Sequence, residues 1–209
     1  MALLQQSALL LIEFQQEWLS ENGKLYHLFE DHQQVKDSQK NAEKVLIATR
    51  STPLHILHSG LSYSPTYKEL GSAHQGLRAT IPSHQTFQTT SVGSQFAKPF
   101  IPQPNEFIVT GRLGSSAFSG SNLDHYLRYN HIQTLYLMGY ALHVCVESTL
   151  RAAHDLGYEV ILIEDATSAF TTEQKKYVLD NIVHHFGKSI TTTDYLTYIE
   201  QQKGKVNYA

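Results

Sequence analysis

The sequence predicts an α/β fold: a mostly parallel β-sheet with helices on both faces and right-handed crossovers. Three observations carry that prediction. Strand-like and helix-like patterns alternate along the chain. Residues 135–165 read as one βαβ unit: an apolar run, a break at Gly139, a helical stripe ended by Gly157, and a second apolar run at 160–163. Finally, 209 residues with 41% apolar and 17% charged side chains suit one well-buried domain and are few for two. The chain is therefore assigned as one domain, 1–209, with an irregular excursion at about 59–104.

The first strand is the run 7–13, apolar and too short for a helix, with Glu13 at its C-terminal end. Open α/β sheets collect ligands at that edge. Gln15, Glu17 and Trp18 lead into a loop around Asn22-Gly23. Val35, Ala42, Val45, Leu46 and Thr49 then keep the spacing of one helical face over 32–49. Pro53 opens the second strand, 54–58. His55 and His58 on that strand point to opposite faces, which is poor metal-ligand spacing. The excursion is rich in Ser, Thr, Gln and Gly. Leu61, Tyr63, Tyr67, Leu70, Ile81, Phe87, Phe96 and Phe100 nevertheless anchor it on the domain or on a second subunit, so it is not a free tether.

The third strand falls at 105–110 and leads into a loop holding Arg112, and a short helix at 121–129 turns Leu123, Tyr126 and Leu127 inward. In the central unit Val146, Thr149, Leu150, Ala153 and Leu156 form the buried helical face. Thr171 or Thr172 caps a later helix with Leu179, Ile182, Val183 and Phe186 as its stripe. Residues 189–193 read as the last strand, and the tail after Gln201 is polar. No Gly-x-Gly-x-x-Gly follows the first strand, so a dinucleotide site is not supported.

Cys145, the only cysteine, stands at the start of the central helix. There the helix dipole and unpaired amides favour thiolate over thiol. Most lone cysteines in intracellular proteins are instead small buried apolar residues. The surrounding residues decide between the two readings. Gly139-Tyr140-Ala141-Leu142-His143-Val144-Cys145-Val146, followed by Gly157-Tyr158, resembles the isochorismatase-like cysteine hydrolases, whose pattern is a glycine, five variable residues, Cys-Val, a helix and a Gly-Tyr strand entry. Glu13-Phe14-Gln15-Gln16-Glu17 resembles the Asp-x-Gln-x-Asp that ends the family's first strand. The stretch from Arg112 through Ser116-Ala117-Phe118 to Leu123 resembles its Lys-x-x-x-Ser-Ala-Phe-x-Gly-Thr-x-Leu segment. The three stretches occur in the family's order.

The resemblance implies a six-stranded sheet in a three-layer, Rossmann-like α/β/α sandwich. It also implies a catalytic set of Cys145 as nucleophile, Glu13 as base and later acid, and Arg112 as cation. Glu13 and Arg112 stand where the family has Asp and Lys, and a guanidinium cannot lend a proton as an amine can. A cis Tyr140–Ala141 peptide and an oxyanion hole made by the Ala141 and Cys145 N–H groups are implied as well. Trp18, His58 and Phe118 are candidate pocket residues, with a satisfied structural histidine as the other reading of His58 and core packing as that of Phe118. No metal site is expected, because the Asp-x-His motif of the nicotinamidase branch has no counterpart here, and no cofactor is expected.

Net charge is −3 with no strongly basic run, so neither nucleic acid nor an anionic membrane is an expected partner. One cysteine excludes an intrachain disulfide and suits a reducing compartment. No signal peptide is recognised, and no apolar run approaches the ~20 residues of a membrane span. The expected protein is a cytoplasmic small-molecule hydrolase, cleaving an amide-type C–N bond through a cysteine thioester. True isochorismatases cleave a vinyl ether without a cysteine nucleophile, so Cys145 argues against that activity. The other reading is a catalytically silent member acting as a binding subunit. The apolar residues of the excursion, with the family's habit of forming dimers or tetramers, predict a homo-oligomer.

Overall fold

Strand β1 (Ser7–Ile12) is buried on both faces, which is why its sequence is an unbroken apolar run. Leu9 and Leu11 enter one core cluster, while Ala8, Leu10 and Ile12 enter the other, following the period-two alternation of a strand. Burying each of Leu9, Leu10, Leu11 and Ile12 is worth about 1.5–3 kcal/mol, so this strand is the spine of both cores. The computed structural model describes residues 4–72 and 75–206. The ends of the assigned domain, including 207–209 of the polar tail, lie outside the described residues.

In chain order β1 is followed by α1 (Gln16–Leu19), α2 (His32–Arg50), β2 (His55–Ser59), α3 (Leu77–His84), β3 (Phe107–Val109), α4 (Leu123–Tyr129) and β4 (Thr134–Gly139). A π-helical turn at Leu142–Val146 then runs into α5 (Glu147–Asp155). The chain continues with β5 (Glu159–Thr167), α6 (Thr172–Asn181), α7 (Val183–Phe186), β6 (Lys188–Ile190) and α8 (Thr192–Val206). The six strands are all parallel, in the order β3-β2-β1-β4-β5-β6. Helices α2 and α8 contribute to the core on one face. Helices α4 to α7 contribute to the core on the other, giving the expected three layers. The strand order reverses beside β1, so the carboxyl ends of β1 and β4 flank the crevice where such sheets bind ligands. Gly139 sits there at φ +136°, and a Cβ on it would lie 2.0 Å from the Ile12 carbonyl oxygen. Only glycine lets β4 pass this close to β1.

Several expectations shift. Thr192 and Thr193 belong to α8, not to the last strand, because Thr191 and Asp194 cap that helix reciprocally: Asp194 N donates to Thr191 Oγ1 at 3.2 Å and Thr191 N to Asp194 Oδ2 at 3.1 Å. Leu156 lies beyond the end of α5 and is 39% exposed rather than part of its buried face. The helix expected after Thr171 is capped as predicted, by a Thr171–Gln174 box, but breaks at Ile182 into α6 and α7. Val178, Ile182 and Val183 bury most fully there, while Leu179 and Phe186 are partly buried.

The excursion folds back on its own chain: Leu61, Tyr63, Tyr67, Leu70, Ile81, Phe87 and Phe100 are buried, and Phe96 is half-buried. Two side chains just after β1 hold it. Gln15 donates from Nε2 to the Leu61 and Ser94 carbonyls at 2.8 and 2.6 Å, and its Oε1 accepts the Leu61 N–H at 2.8 Å. Glu17, also buried, accepts the N–H groups of Phe87 and Lys24 at 3.1 and 3.2 Å. Gln15→Ala should therefore cost about 2–3 kcal/mol, the price of stranding buried backbone groups. It should also speed limited proteolysis between residues 59 and 104. Unchanged melting and cleavage would mean that the apolar anchors hold the excursion without Gln15. Among the described residues no helix is long and apolar enough to cross a membrane.

Candidate active site

Glu13, Arg112 and Cys145 come from three separate elements and meet at the carboxyl edge of the sheet. Glu13 directly follows β1, Arg112 lies in the loop after β3, and Cys145 lies in the turn after β4. Glu13 is fully buried and holds φ +57°, a left-handed conformation that costs a non-glycine residue about 1 kcal/mol. Its N–H donates to Ser59 O at 2.8 Å, which fixes the turn at the end of the β1–β2 ladder. Its carboxylate has two donors: Arg112 Nη2 to Oε1 at 2.6 Å and Trp18 Nε1 to Oε2 at 2.8 Å.

Arg112 is 3% exposed and fully employed. Besides Glu13 it donates to the carbonyls of Gly114 and Ser115 at 3.0 and 2.5 Å, and its Nη1 lies 3.5 and 3.4 Å from Ser59 O and Oγ. The fork thus ties its own loop, the end of β2 and the carboxylate together, which a lysine with one point of attachment would not do. Thr149 on α5 makes a further link that the sequence reading placed only in the buried stripe. Its hydroxyl donates to Cys145 O at 2.7 Å and accepts the Ala117 N–H at 2.9 Å, joining the arginine loop to the cysteine turn.

Cys145 is 4% exposed and borders a cavity of about 580 Å³ whose outer wall is the excursion. Its thiol feels the charges of both Glu13 and Arg112. The expectation of a resting thiolate is not met. Burial pushes the thiol well above its usual range and the Glu13 anion pushes it further, against the opposing pull of Arg112. The helix-terminus argument fails because Cys145 sits inside a π turn with its own N–H already bonded to Ala141 O at 3.1 Å. That carbonyl also receives the Val144 and Val146 N–H groups, at 3.1 and 3.3 Å. Three donors share two lone pairs, so the Cys145 N–H is only partly committed. The Ala141 N–H donates to no backbone carbonyl among the described residues, and the Tyr140–Ala141 peptide is cis.

The three candidate pocket residues lie elsewhere. Trp18 is a donor to Glu13 and packs among Phe29, Phe87 and Phe170, so it supports the carboxylate from behind. His58 is fully buried and pairs through Nε2 with Glu106 Oε2 at 2.8 Å. Burial pushes the Glu106 carboxyl up, but Arg50, the Gln103 N–H and His58 outweigh that and hold it at about 2. His58 itself is lowered by burial, and the unit is a structural hydrogen-bond network built on the Arg50–Glu106 ion pair. Phe118 is partly buried and stacks on Tyr158, ring centroids 5.9 Å apart, against the core cluster that also holds Cys145. The cavity is lined instead by excursion side chains, Tyr63, Leu70, Arg78 and Ile81 among them. The predicted anchor list contained Tyr63, Leu70 and Ile81 but gave no reason to place them around Cys145.

The isochorismatase domain model matches residues 7–194. The ureidoacrylate amidohydrolase RutB of Enterobacter sp. (strain 638) is 28% identical over 203 residues, covering 91% of this chain and 88% of the relative. YwoC, an isochorismatase family protein of Bacillus subtilis (strain 168), is 40% identical over 105 residues, 48% of this chain and 55% of the relative; the match spans about half the length of that protein. Among solved structures, a cysteine hydrolase from Pseudomonas syringae pv. phaseolicola 1448A superposes with a TM-score of 0.83 over 96% of this chain and 95% of that one, at 21% identity, a likeness of fold. The chain belongs to the isochorismatase family.

Proposed function

We propose that the protein hydrolyses an amide-type C–N bond of a small molecule through a thioester on Cys145. The observation that carries this reading is the placement of one thiol against both members of a buried carboxylate–guanidinium pair, at the wall of a cavity. A thiol held protonated needs a base at the moment of attack, and Glu13 stands beside it. As Sγ bonds to the carbonyl carbon, its proton passes to Glu13 and the negative charge moves to the carbonyl oxygen. The Ala141 and Cys145 N–H groups serve as the donors to that oxyanion in this reading. Collapse breaks the C–N bond, and Glu13 returns the proton to the leaving nitrogen. Water then attacks the thioester, giving its proton to Glu13, which passes it to the departing Sγ. Arg112 holds the Glu13 carboxyl in place throughout and exchanges no proton. The amidohydrolase activity in the name of the RutB relative supports the C–N assignment.

The test is a panel of small amides and ureido compounds incubated with the protein and with Cys145→Ala, read as ammonia or amine release. Turnover of at least one compound by the unmodified protein, with an acyl adduct on Cys145 in rapid-quench mass spectra and neither with the variant, is the expected result. Turnover that survives Cys145→Ala would overturn the thioester. A Cys145 that no electrophile modifies in the folded protein would leave a silent binding subunit.

A further inference from the structure

The cavity that Cys145 borders has lining residues whose features packing does not explain. Four of the five arginines in the chain are in ion pairs: Arg50, Arg112, Arg128 and Arg151. Arg78 is exposed, lines the cavity, and has no carboxylate partner among the described residues. It also occupies the first turn of α3, where a cation opposes the helix dipole, so helix stability does not account for it. The start of α3 is itself uncapped. Gly76 is the N-cap with no side-chain bond, and Gly76 and Leu77 line the same cavity. Their neighbouring N–H groups form part of the unpaired set at a helix N-terminus.

Tyr63 supplies an independent observation. It is 1% exposed, and the Tyr63 N–H and C=O bond to Phe87 O and Thr89 N at 2.9 and 2.8 Å, which pins its backbone. Its ring lines the cavity, yet no side chain or backbone group among the described residues hydrogen-bonds its hydroxyl. Burial holds that hydroxyl protonated, so it acts as a donor. The fully buried side-chain polar atoms without a partner among the described residues are His58 Nδ1 and His143 Nδ1, so the Tyr63 hydroxyl opens on the cavity, where a ligand can accept from it. The wall's other charged side chain, Glu69, already has both oxygens engaged, by the Ser64 N–H at 3.0 Å and the Ser64 hydroxyl at 2.8 Å.

Building on the hydrolase reading above, we propose that Tyr63, Arg78 and the first turn of α3 form an anion-receiving wall, which selects amide substrates bearing a carboxylate on the side away from Cys145. Arg78 and Tyr63 are specificity-determining residues in this reading. The guanidinium takes the carboxylate at the mouth, the Tyr63 hydroxyl takes an oxygen deeper in, and the scissile carbonyl is left facing the thiol.

The test uses Cys145 as its own reporter, because a single cysteine makes intact mass unambiguous. Rates of alkylation by iodoacetate and by iodoacetamide are measured for the full-length protein, and their ratio is divided by the same ratio for free cysteine. The two reagents differ in charge and hardly in size, so the normalised ratio isolates anion recognition. It should exceed one by about tenfold at low salt and shrink as salt rises. Arg78→Gln should return it to near one, Arg78→Lys should keep most of it, and Tyr63→Phe should lower it by slowing iodoacetate more than iodoacetamide. A normalised ratio at or below one in the unmodified protein, or one that Arg78→Gln leaves intact, overturns the wall while Cys145 remains a reactive nucleophile. Failure of both reagents to modify the folded protein removes the hydrolase reading, and this inference with it.

Discussion

Arg112→Ala is expected to destabilise the protein by about 3–5 kcal/mol, more than any other single substitution at the site, because it leaves a buried carboxylate without its counter-ion. Glu13 is fully buried, and among the described residues its other side-chain donor is Trp18 Nε1. The arginine side chain also supplies the Gly114 and Ser115 carbonyls of its own loop, which would be stranded together with the anion. Urea denaturation of the two proteins at one pH measures the difference. Adding Glu13→Gln to Arg112→Ala should recover a large part of the loss, since the stranded group is then neutral. Arg112→Lys, which restores the cation but not the fork, should fall between the two. A loss below about 1 kcal/mol for Arg112→Ala would mean that solvent reaches Glu13 and screens it as it screens a surface pair.

The fold was legible where burial and sequence carry the same information. An apolar run that must be buried on both faces, as in β1, can hardly be read otherwise, and the order of Glu13, Arg112 and Cys145 along the chain follows from strand ends that share one sheet edge. What escaped were quantities set by tertiary partners. Strand alternation correctly turned His55 and His58 to opposite faces. It could not reveal that Glu106 would arrive beside His58 from a distant stretch and absorb it into a hydrogen-bond network. The span 189–193 reads as the last strand, although Thr191 and Asp194 close a helix cap within and just beyond it. Trp18 was read as a pocket wall from its aromatic body, whereas its N–H is what the site uses. The thiol is the sharpest case. A helix-start position argues for a thiolate, but desolvation and an adjacent anion are larger effects, and both come from groups distant in sequence.

That balance of charges yields an outcome in which two readouts of the same variant move in opposite directions. Glu13→Gln should make Cys145 more reactive toward iodoacetamide at neutral pH and nearly abolish amide turnover. Burial raises the thiol first and the Glu13 anion second, while Arg112 pulls it down; Tyr63 beside them stays a neutral donor. Replacing the carboxylate by a neutral amide removes the second effect and leaves Arg112 unopposed. The alkylation midpoint should therefore move to lower pH. For every pH unit that the midpoint falls, thiolate rises about tenfold while its lower basicity costs about threefold in reactivity, a net gain of roughly threefold. Turnover moves the other way, because a thiolate formed without Glu13 has no acid to protonate the leaving nitrogen, a loss of about 10²–10⁴ in rate. Alkylation measured from pH 6 to 10, beside turnover of whichever amide the panel identifies, reads both. If Glu13→Gln slows alkylation as well as turnover, the carboxylate is already drawing the proton from the thiol in the resting protein, and the account of a thiol held neutral by burial and by Glu13 is wrong.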